Sequence, residues 1–463
     1  MKVTDYFNDI QCSIVNSKLL MDGDFRLNPE YYEAIAANNL PHHINSFLLG
    51  SKADISHPGI TKREYVESKK NAIPFLSTSE LQFYEAIEGK YVSTFASKNL
   101  QDYIVSKNTI LVSRSGTIGN VSIVDKFVDK CAVSEHAIRI CLKEKNYIGL
   151  VYTYLNSKTG QKVLKGQKSG AVIDEIYDND VAALQIPDID LSVVNQINDL
   201  VMSAVDNREK AFSLIQQARS LVLRYNNLPE LDSVFERSTS PEIIFSISNN
   251  LSNDFRLDAH YHNNIAQTIY CLIEQSCNRQ KFLFELADCT FNGSRTTRNY
   301  VNEENGIPFL SGKNIVQIRP DYKYISKTET ENLIDMIVSK NQILVTRVGT
   351  LARTVLVYEN YEGCAASEHM IRVSPKQDSI DSAYLYAFLS SDYGYYQMLR
   401  FKHGAVIDVI TEDQIGETVI PLPSSEQQKE IGDIVRQAYH LRAEAIRLED
   451  QAQALLQQAI TNN

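Results

Sequence analysis

Cys131-Ala132-Val133-Ser134-Glu135-His136-Ala137-Ile138-Arg139 returns 233 residues later as Cys364-Ala365-Ala366-Ser367-Glu368-His369-Met370-Ile371-Arg372. Working outward, the matches continue in chain order. Asp24-Phe25-Arg26-Leu27 with Tyr31 matches Asp254-Phe255-Arg256-Leu257 with Tyr261, and Ile73-Pro74-Phe75-Leu76-Ser77 matches Ile307-Pro308-Phe309-Leu310-Ser311. Ile110-Leu111-Val112 with Arg114, Gly116 and Thr117 matches Ile343-Leu344-Val345 with Arg347, Gly349 and Thr350. Gly170-Ala171-Val172-Ile173-Asp174 matches Gly404-Ala405-Val406-Ile407-Asp408. The offset holds at 233–235 from residue 59 onward and is 230 near the start. Units this long are whole domains, which excludes a solenoid. The duplication predicts pseudo-twofold symmetry, suited to a target that itself comes in two parts.

A chain of 463 residues fits two domains with connecting elements. No apolar run reaches the ~20 residues needed to cross a bilayer, and Met1 to Phe7 lacks the apolar stretch of a signal peptide. Seven scattered cysteines without a C-x-x-C pair point to reduced thiols in a cytoplasmic protein, and away from a disulfide framework or zinc site. The net charge of −11 argues against non-specific nucleic-acid binding. It leaves room for a local basic groove and for basic partner proteins.

Within each unit the pattern predicts a mixed α/β (α+β) domain. Ile110 to Val112 and Val121 to Val124 read as strands around the turn signal Gly116-Thr117-Ile118-Gly119, and Ile343 to Val345 and Thr354 to Val357 repeat them. Ala132 to Ile140 reads as one further strand, and Ile148 to Leu155 and Tyr384 to Leu389 read as helices. Each unit ends in a long helix. Ile434, Ala438, Leu441, Ala445, Leu448, Ala452, Leu455 and Ala459 step by four and three, a heptad seam. Leu200, Ala204, Asn207, Ala211, Leu214, Ala218, Leu221 and Tyr225 repeat it. Roughly 30 residues make a rod of about 45 Å. Seams of equal length predict that the two helices pair with each other, antiparallel. The expected divisions are a first domain 1–190, a helix 191–226, a linker 227–244, a second domain 245–423 and a helix 424–461.

There is no G-x-x-x-x-G-K-[ST] phosphate loop and no G-x-G-x-x-G cofactor turn. Asn28-Pro29-Glu30-Tyr31 is faintly like an amino-methyltransferase loop, but its counterpart is Asp258-Ala259-His260-Tyr261. On one strand, Ser134 and His136 would share a face, as would Ser367 and His369. A hydrolase also needs an oxyanion site and an orienting acid, and no nucleophile elbow is present. A structural network or a DNA contact is the better reading. Basic and aromatic residues say more. Lys62, Arg63 and Tyr65 precede Ile73-Pro74-Phe75, and Arg295, Arg298 and Tyr300 precede Ile307-Pro308-Phe309. Arg114 and Arg347 sit in the glycine turns, and Lys313 follows the second Pro-Phe strand. Lys165 and Lys168 close a lysine run whose counterpart holds Arg400, Lys402 and His403. Arginine forks suit guanine edges and phosphates. These residues are the candidate DNA contacts.

The chain resembles the specificity subunits of Type I restriction-modification systems. The resemblance rests on Gly306-Ile307-Pro308-Phe309-Leu310-Ser311-Gly312-Lys313-Asn314-Ile315, on Ile110 to Gly119, and on Ile420-Pro421-Leu422-Pro423-Ser424-Ser425-Glu426-Gln427-Gln428-Lys429-Glu430-Ile431. It spans nearly the whole chain. One departure is Ile186-Pro187-Asp188-Ile189-Asp190-Leu191, which lacks the Pro-Leu-Pro and Glu-Gln pattern. The resemblance implies two target-recognition domains, each reading half of a split double-stranded DNA site, and two helices fixing the unread spacer. It implies a non-catalytic chain without cofactor or metal of its own. Two methyltransferase subunits would bring S-adenosylmethionine, and motor-nuclease subunits would use ATP and Mg2+. A methylation-only specificity subunit, an enzyme and a protein-interaction scaffold stay open as alternatives.

Overall fold

The computed structural model describes residues 29–38, 44–66, 70–85, 90–95, 97–168, 174–231, 234, 256, 261, 262, 264–291 and 297–462. Most of the expected linker 227–244, the segment Gly170 to Ile173, and Arg295 lie outside them. The chain forms two compact units, Met1–Glu209 with Glu444–Asn463, and Lys210–Ala443. Both unit boundaries cut through long helices, Leu191–Tyr225 and Ser425–Asn462, so each unit owns part of each helix. Among the described residues no helix is long and apolar enough to cross a membrane.

In unit 1 the main sheet runs Ala53–Ser56, Ala137–Leu142, Ile110–Ser113, Val121–Ile123, all antiparallel. The centre is buried on both faces, because all four residues of Ile110–Ser113 are buried. A second sheet runs Tyr65–Val66, Tyr91–Ser93, Ala72–Leu76, Ala132–Val133, with its last pair parallel. Unit 2 repeats both sheets, as Ala287–Thr290, Met370–Pro375, Ile343–Thr346, Thr354–Leu356 and as Tyr300–Val301, Lys323–Ser326, Gly306–Leu310, Ala365–Ala366. A two-stranded ribbon closes each unit before the long helix, Ser46–Leu48 with Gln185–Pro187 and Gln280–Phe282 with Val419–Pro421. The units are thus alike and mixed α/β.

The backbone repeats at the level of single dihedrals. Asn99 and Asn332, Asn108 and Asn341, and Gly116 and Gly349 each take positive φ. The helices Lys158–Gly166 and Asp392–Leu399 both start from a serine, Ser157 and Ser391, whose hydroxyl accepts from the N–H of Gly160 or Gly394. A Cβ on Gly160 would lie 2.0 Å from Tyr154 O, and one on Gly394 would lie 2.5 Å from Phe388 O, so glycine is required at both.

Two expectations change. The stretch Ala132 to Ile140 is not one strand. It breaks at residues 134–136, where the chain steps from the second sheet into the main sheet. The helical seams shift phase by one residue. In the first helix Ile197, Val201, Ala204, Ala211, Ile215, Ala218 and Val222 are buried, with Arg208 on the same stripe. In the second, Ile431, Val435, Ala438, Arg442, Ala445, Glu449, Ala452 and Leu456 are buried, offset by 234. The alanines match the sequence reading. Leu200, Leu214, Ile434, Leu441, Leu448 and Leu455 lie on the half-buried flank instead, and only Leu221 is itself buried. Hydropathy hid the true stripe because three of its members, Arg208, Arg442 and Glu449, are charged. The stripes sit in the cores of their units. Val194, Ile197 and Val201 share a cluster with Ala452, Leu456 and the unit 1 sheet. Ala211, Ile215, Ala218 and Val222 do so with Ile431, Val435, Ala438 and the unit 2 sheet.

Candidate nucleic-acid interface

In each unit the repeated motifs converge at the crossover between the two sheets. In unit 1 the Arg114 N–H donates to His136 O at 2.8 Å, and the Ile176 N–H donates to Arg114 O at 3.0 Å. This gathers the glycine turn, the Ser-Glu-His crossover and the segment after Asp174. Arg63 brings in the fourth loop, forking onto both oxygens of Glu135, with Nη2 to Oε1 at 3.0 Å. Its guanidinium lies 4.8 Å from the Phe75 ring centre, and Tyr65 meets the same ring edge-on. Unit 2 repeats the assembly. Arg347 N–H donates to His369 O at 2.9 Å and Ile410 N–H to Arg347 O at 3.0 Å. Arg298 pairs with Glu368 and lies 4.8 Å from the Phe309 ring centre, with Tyr300 edge-on to that ring.

The Ser-Glu-His motif is therefore a clamp. Ser134 is buried, and its hydroxyl contacts Glu135 at 3.2 Å and accepts the His136 N–H. The His136 ring meets the Ser115 hydroxyl rather than that of Ser134. Burial alone would raise the Glu135 carboxyl, but Arg63 and a backbone N–H outweigh it and hold it below the ordinary carboxylate range. Glu368 is lowered in the same way, against burial, by a backbone N–H and Arg298. The arginine closing the nonapeptide is interior. Arg139 donates to Ala137 O, Tyr103 O and Val133 O, and burial brings its pKa down to about 10.

Five arginines read from the sequence as candidate DNA contacts each have partners within the chain. Arg63 and Arg298 are committed to Glu135 and Glu368. Arg114 is buried and bonded to Glu175 and to Ile176 O. Arg347 donates to Ile410 O at 3.3 Å and lies over Phe291. Arg400 donates to Tyr261 O and stacks on the Tyr261 ring, away from the clamp. A planar guanidinium with several fixed donors is satisfied by carboxylates and carbonyls at a half-buried site. Lys402 is ion-paired with Asp408 at 2.7 Å. The exposed candidates are Lys62, Tyr65, Lys165, Tyr300, Lys313 and His403, while Lys168 is half-buried. Lys165 lies beside the glycine turn, with a side-chain carbon 3.6 Å from where a Gly119 Cβ would stand.

Further groups stand at the site beside the basic candidates. The His136 side chain is 45% exposed at the rim, with Nδ1 2.6 Å from Ser115 Oγ. His369 occupies the same place with Val348 in place of that serine. Gly116 and Gly349 present open, left-handed backbone beside these rings. Val406 and Ile407 form an exposed tip next to the unit 2 turn. The histidines carried a signal, since the repeat preserves them, but their exposure depends on the chain break at 134–136.

What this arrangement offers is a partly exposed imidazole, an exposed tyrosine and open backbone, built twice, with lysines at places that differ between the units. A family model described as the Type I restriction modification DNA specificity domain matches residues 44–200 and again 278–453. Among solved structures, a Type I restriction-modification S subunit from M. genitalium is 16% identical, with 91% of this chain and 97% of that one covered and a TM-score of 0.37. An HsdS subunit from Thermoanaerobacter tengcongensis is 15% identical over 91% of this chain and 97% of that one, with a TM-score of 0.27. No curated protein sequence matches. The two domain matches cover well over half of the chain and coincide with its two repeats, and the chain belongs to the Type I restriction modification DNA specificity domain family.

Proposed function

We propose that this DNA sequence-recognition chain reads a bipartite site, one half per unit, and brings other subunits to it. The observation that carries this is the duplication of one loop cluster, Arg63–Glu135–His136 with Tyr65 and Arg298–Glu368–His369 with Tyr300, in both units. The clamped arginines hold the cluster rigid, and the exposed tyrosines, imidazoles and lysines meet the duplex, mainly in the major groove, whose edges distinguish all four base pairs. The long helices set the unread spacer between the halves. Helices of 35 and 38 residues are rods of about 52–57 Å, roughly one and a half turns of B-DNA at ~34–36 Å per turn. The chain does no chemistry itself. Its partners are two methyltransferase subunits carrying S-adenosylmethionine, and motor-nuclease subunits using ATP and Mg2+, in the cytoplasm.

Selection from random duplexes, with the chain purified alongside the subunits that accompany it, tests this. A gapped two-part motif is expected, and enrichment of nothing would favour a protein-interaction scaffold. Inserting four residues into both long helices is expected to lengthen the gap of the selected motif. An unchanged gap would remove the helices from spacing.

A further inference from the structure

Residues 403–409 of unit 2 form a closed hairpin. His403 N–H donates to Val409 O at 3.0 Å, and Val409 N–H donates to His403 O at 2.7 Å. Gly404 takes φ +129°, and a Cβ there would stand 2.1 Å from Ile407 O, so only glycine closes this loop. Arg347 anchors the stem, through Ile410 N–H to Arg347 O, and Val348 bridges to Val409. The Lys402–Asp408 pair neutralises the base of the hairpin. At its tip Val406 is 96% exposed and Ile407 is 56% exposed. Surface loops are ordinarily polar. Here two branched apolar side chains stand largely exposed on a hydrogen-bonded loop whose stem is anchored at Arg347.

We propose that Val406 and Ile407 are specificity-determining residues that pack against methyl-bearing pyrimidine edges in the major groove of the half-site read by unit 2. The inference rests on the DNA-reading function above and names the chemistry of one contact in it. Phosphate does not suit an apolar tip whose nearest charges cancel. A thymine or methylcytosine edge does, since it presents a methyl group to the groove. The tip adds discrimination without adding to the electrostatic attraction for DNA.

The test uses the full chain with its accompanying subunits, a duplex carrying the wild-type motif, and the variant V406S/I407S. Specific affinity is expected to fall about tenfold, within the cost of one lost base contact. The slope of log affinity against log salt is expected to stay unchanged, because no phosphate contact is lost. Selection with the variant should loosen one or two positions in a single half of the motif, while V406L should retain the wild-type motif. Unchanged affinity and motif would overturn the proposal, as would a shallower salt slope. Loss of the accompanying subunits with base discrimination intact would also overturn it, by making the tip a protein contact. A wild-type preparation that selects no motif would overturn the DNA-reading function itself, and this role with it.

Discussion

The two units fill one corresponding position in opposite ways. In unit 1 the long helices meet the domain through a buried polar network. Arg208 Nη2 lies 2.7 Å from Glu449 Oε1, which also accepts from the Tyr152 hydroxyl at 2.7 Å. Burial opposes the Arg208 charge, but Glu449 and Tyr152 more than offset it and raise the guanidinium above its ordinary value. In unit 2 the residue in the place of Glu449 is Ile215, and the one in the place of Arg208 is Arg442. Arg442 lies 4.9 Å from the Tyr439 ring centre, and Tyr439 packs edge-on against Tyr386, the counterpart of Tyr152. The Tyr439 hydroxyl accepts the Leu356 N–H at 2.9 Å. The repeat therefore preserves places, turns and registers, while the residue beside the shared arginine is a carboxylate, Glu449, in one unit and an apolar side chain, Ile215, in the other.

This difference can be broken most severely at Glu449. Glu449→Ala leaves Arg208 buried without its carboxylate and is expected to cost unit 1 about 3–5 kcal/mol. Replacing both partners, Arg208→Met with Glu449→Ile, should recover most of that loss. Hydrogen exchange along Leu191–Tyr225, read against denaturant, separates the two units; equal losses would contradict the contrast.

The clamps should respond alike, each for its own half. Glu135→Gln or Glu368→Gln loosens the fork on Arg63 or Arg298 and should cost roughly 1–3 kcal/mol of base discrimination in one half-site, read by competition binding with single-base variants. Because both carboxyls are depressed, their contribution is fully present above the ordinary carboxylate value and is lost only as pH falls through the lower, folded value. Clamp titration should therefore leave binding unaltered between pH 5 and 8, a range set by ordinary carboxylate values of about 4.3.

The smallest effects sharpen the comparison at the glycine turn. Gly119 has φ +87°, and Ala352 holds the corresponding place at φ +60°. Gly119→Ala is expected to cost about 1–2 kcal/mol from left-handed strain and from a Cβ 3.3 Å from the Gln161 side chain. Ala352→Gly should stay within about 0.5 kcal/mol of neutral, because relieved strain is offset by loss of a buried methyl group. Thermal unfolding of the two variants checks the pair.

Most of the architecture was legible because the sequence repeats itself, so every weak signal was read twice. The strands around Gly116 and Gly349, the helices after them and the two long helices follow from β-branched runs, turn residues and periodicity. The seam phase did not, because a buried Arg208, Arg442 or Glu449 looks like surface until its partner is known. The break at 134–136 was hidden because Val133 and Ala137 are both buried, in different sheets. The loops that the sequence marked with arginine do come together in each unit. At half-buried positions the arginine fork is taken by Glu135, Glu368 or carbonyls, which sequence alone does not show, and Tyr65, Tyr300, His136 and His369 stand at the rim.

The most direct test of two equivalent reading sites compares motifs selected by Tyr65→Ala with His136→Ala and by Tyr300→Ala with His369→Ala. Each pair is predicted to degrade a different half of the gapped motif, leaving the other half and the gap intact. Equal degradation of both halves by either pair would contradict the account.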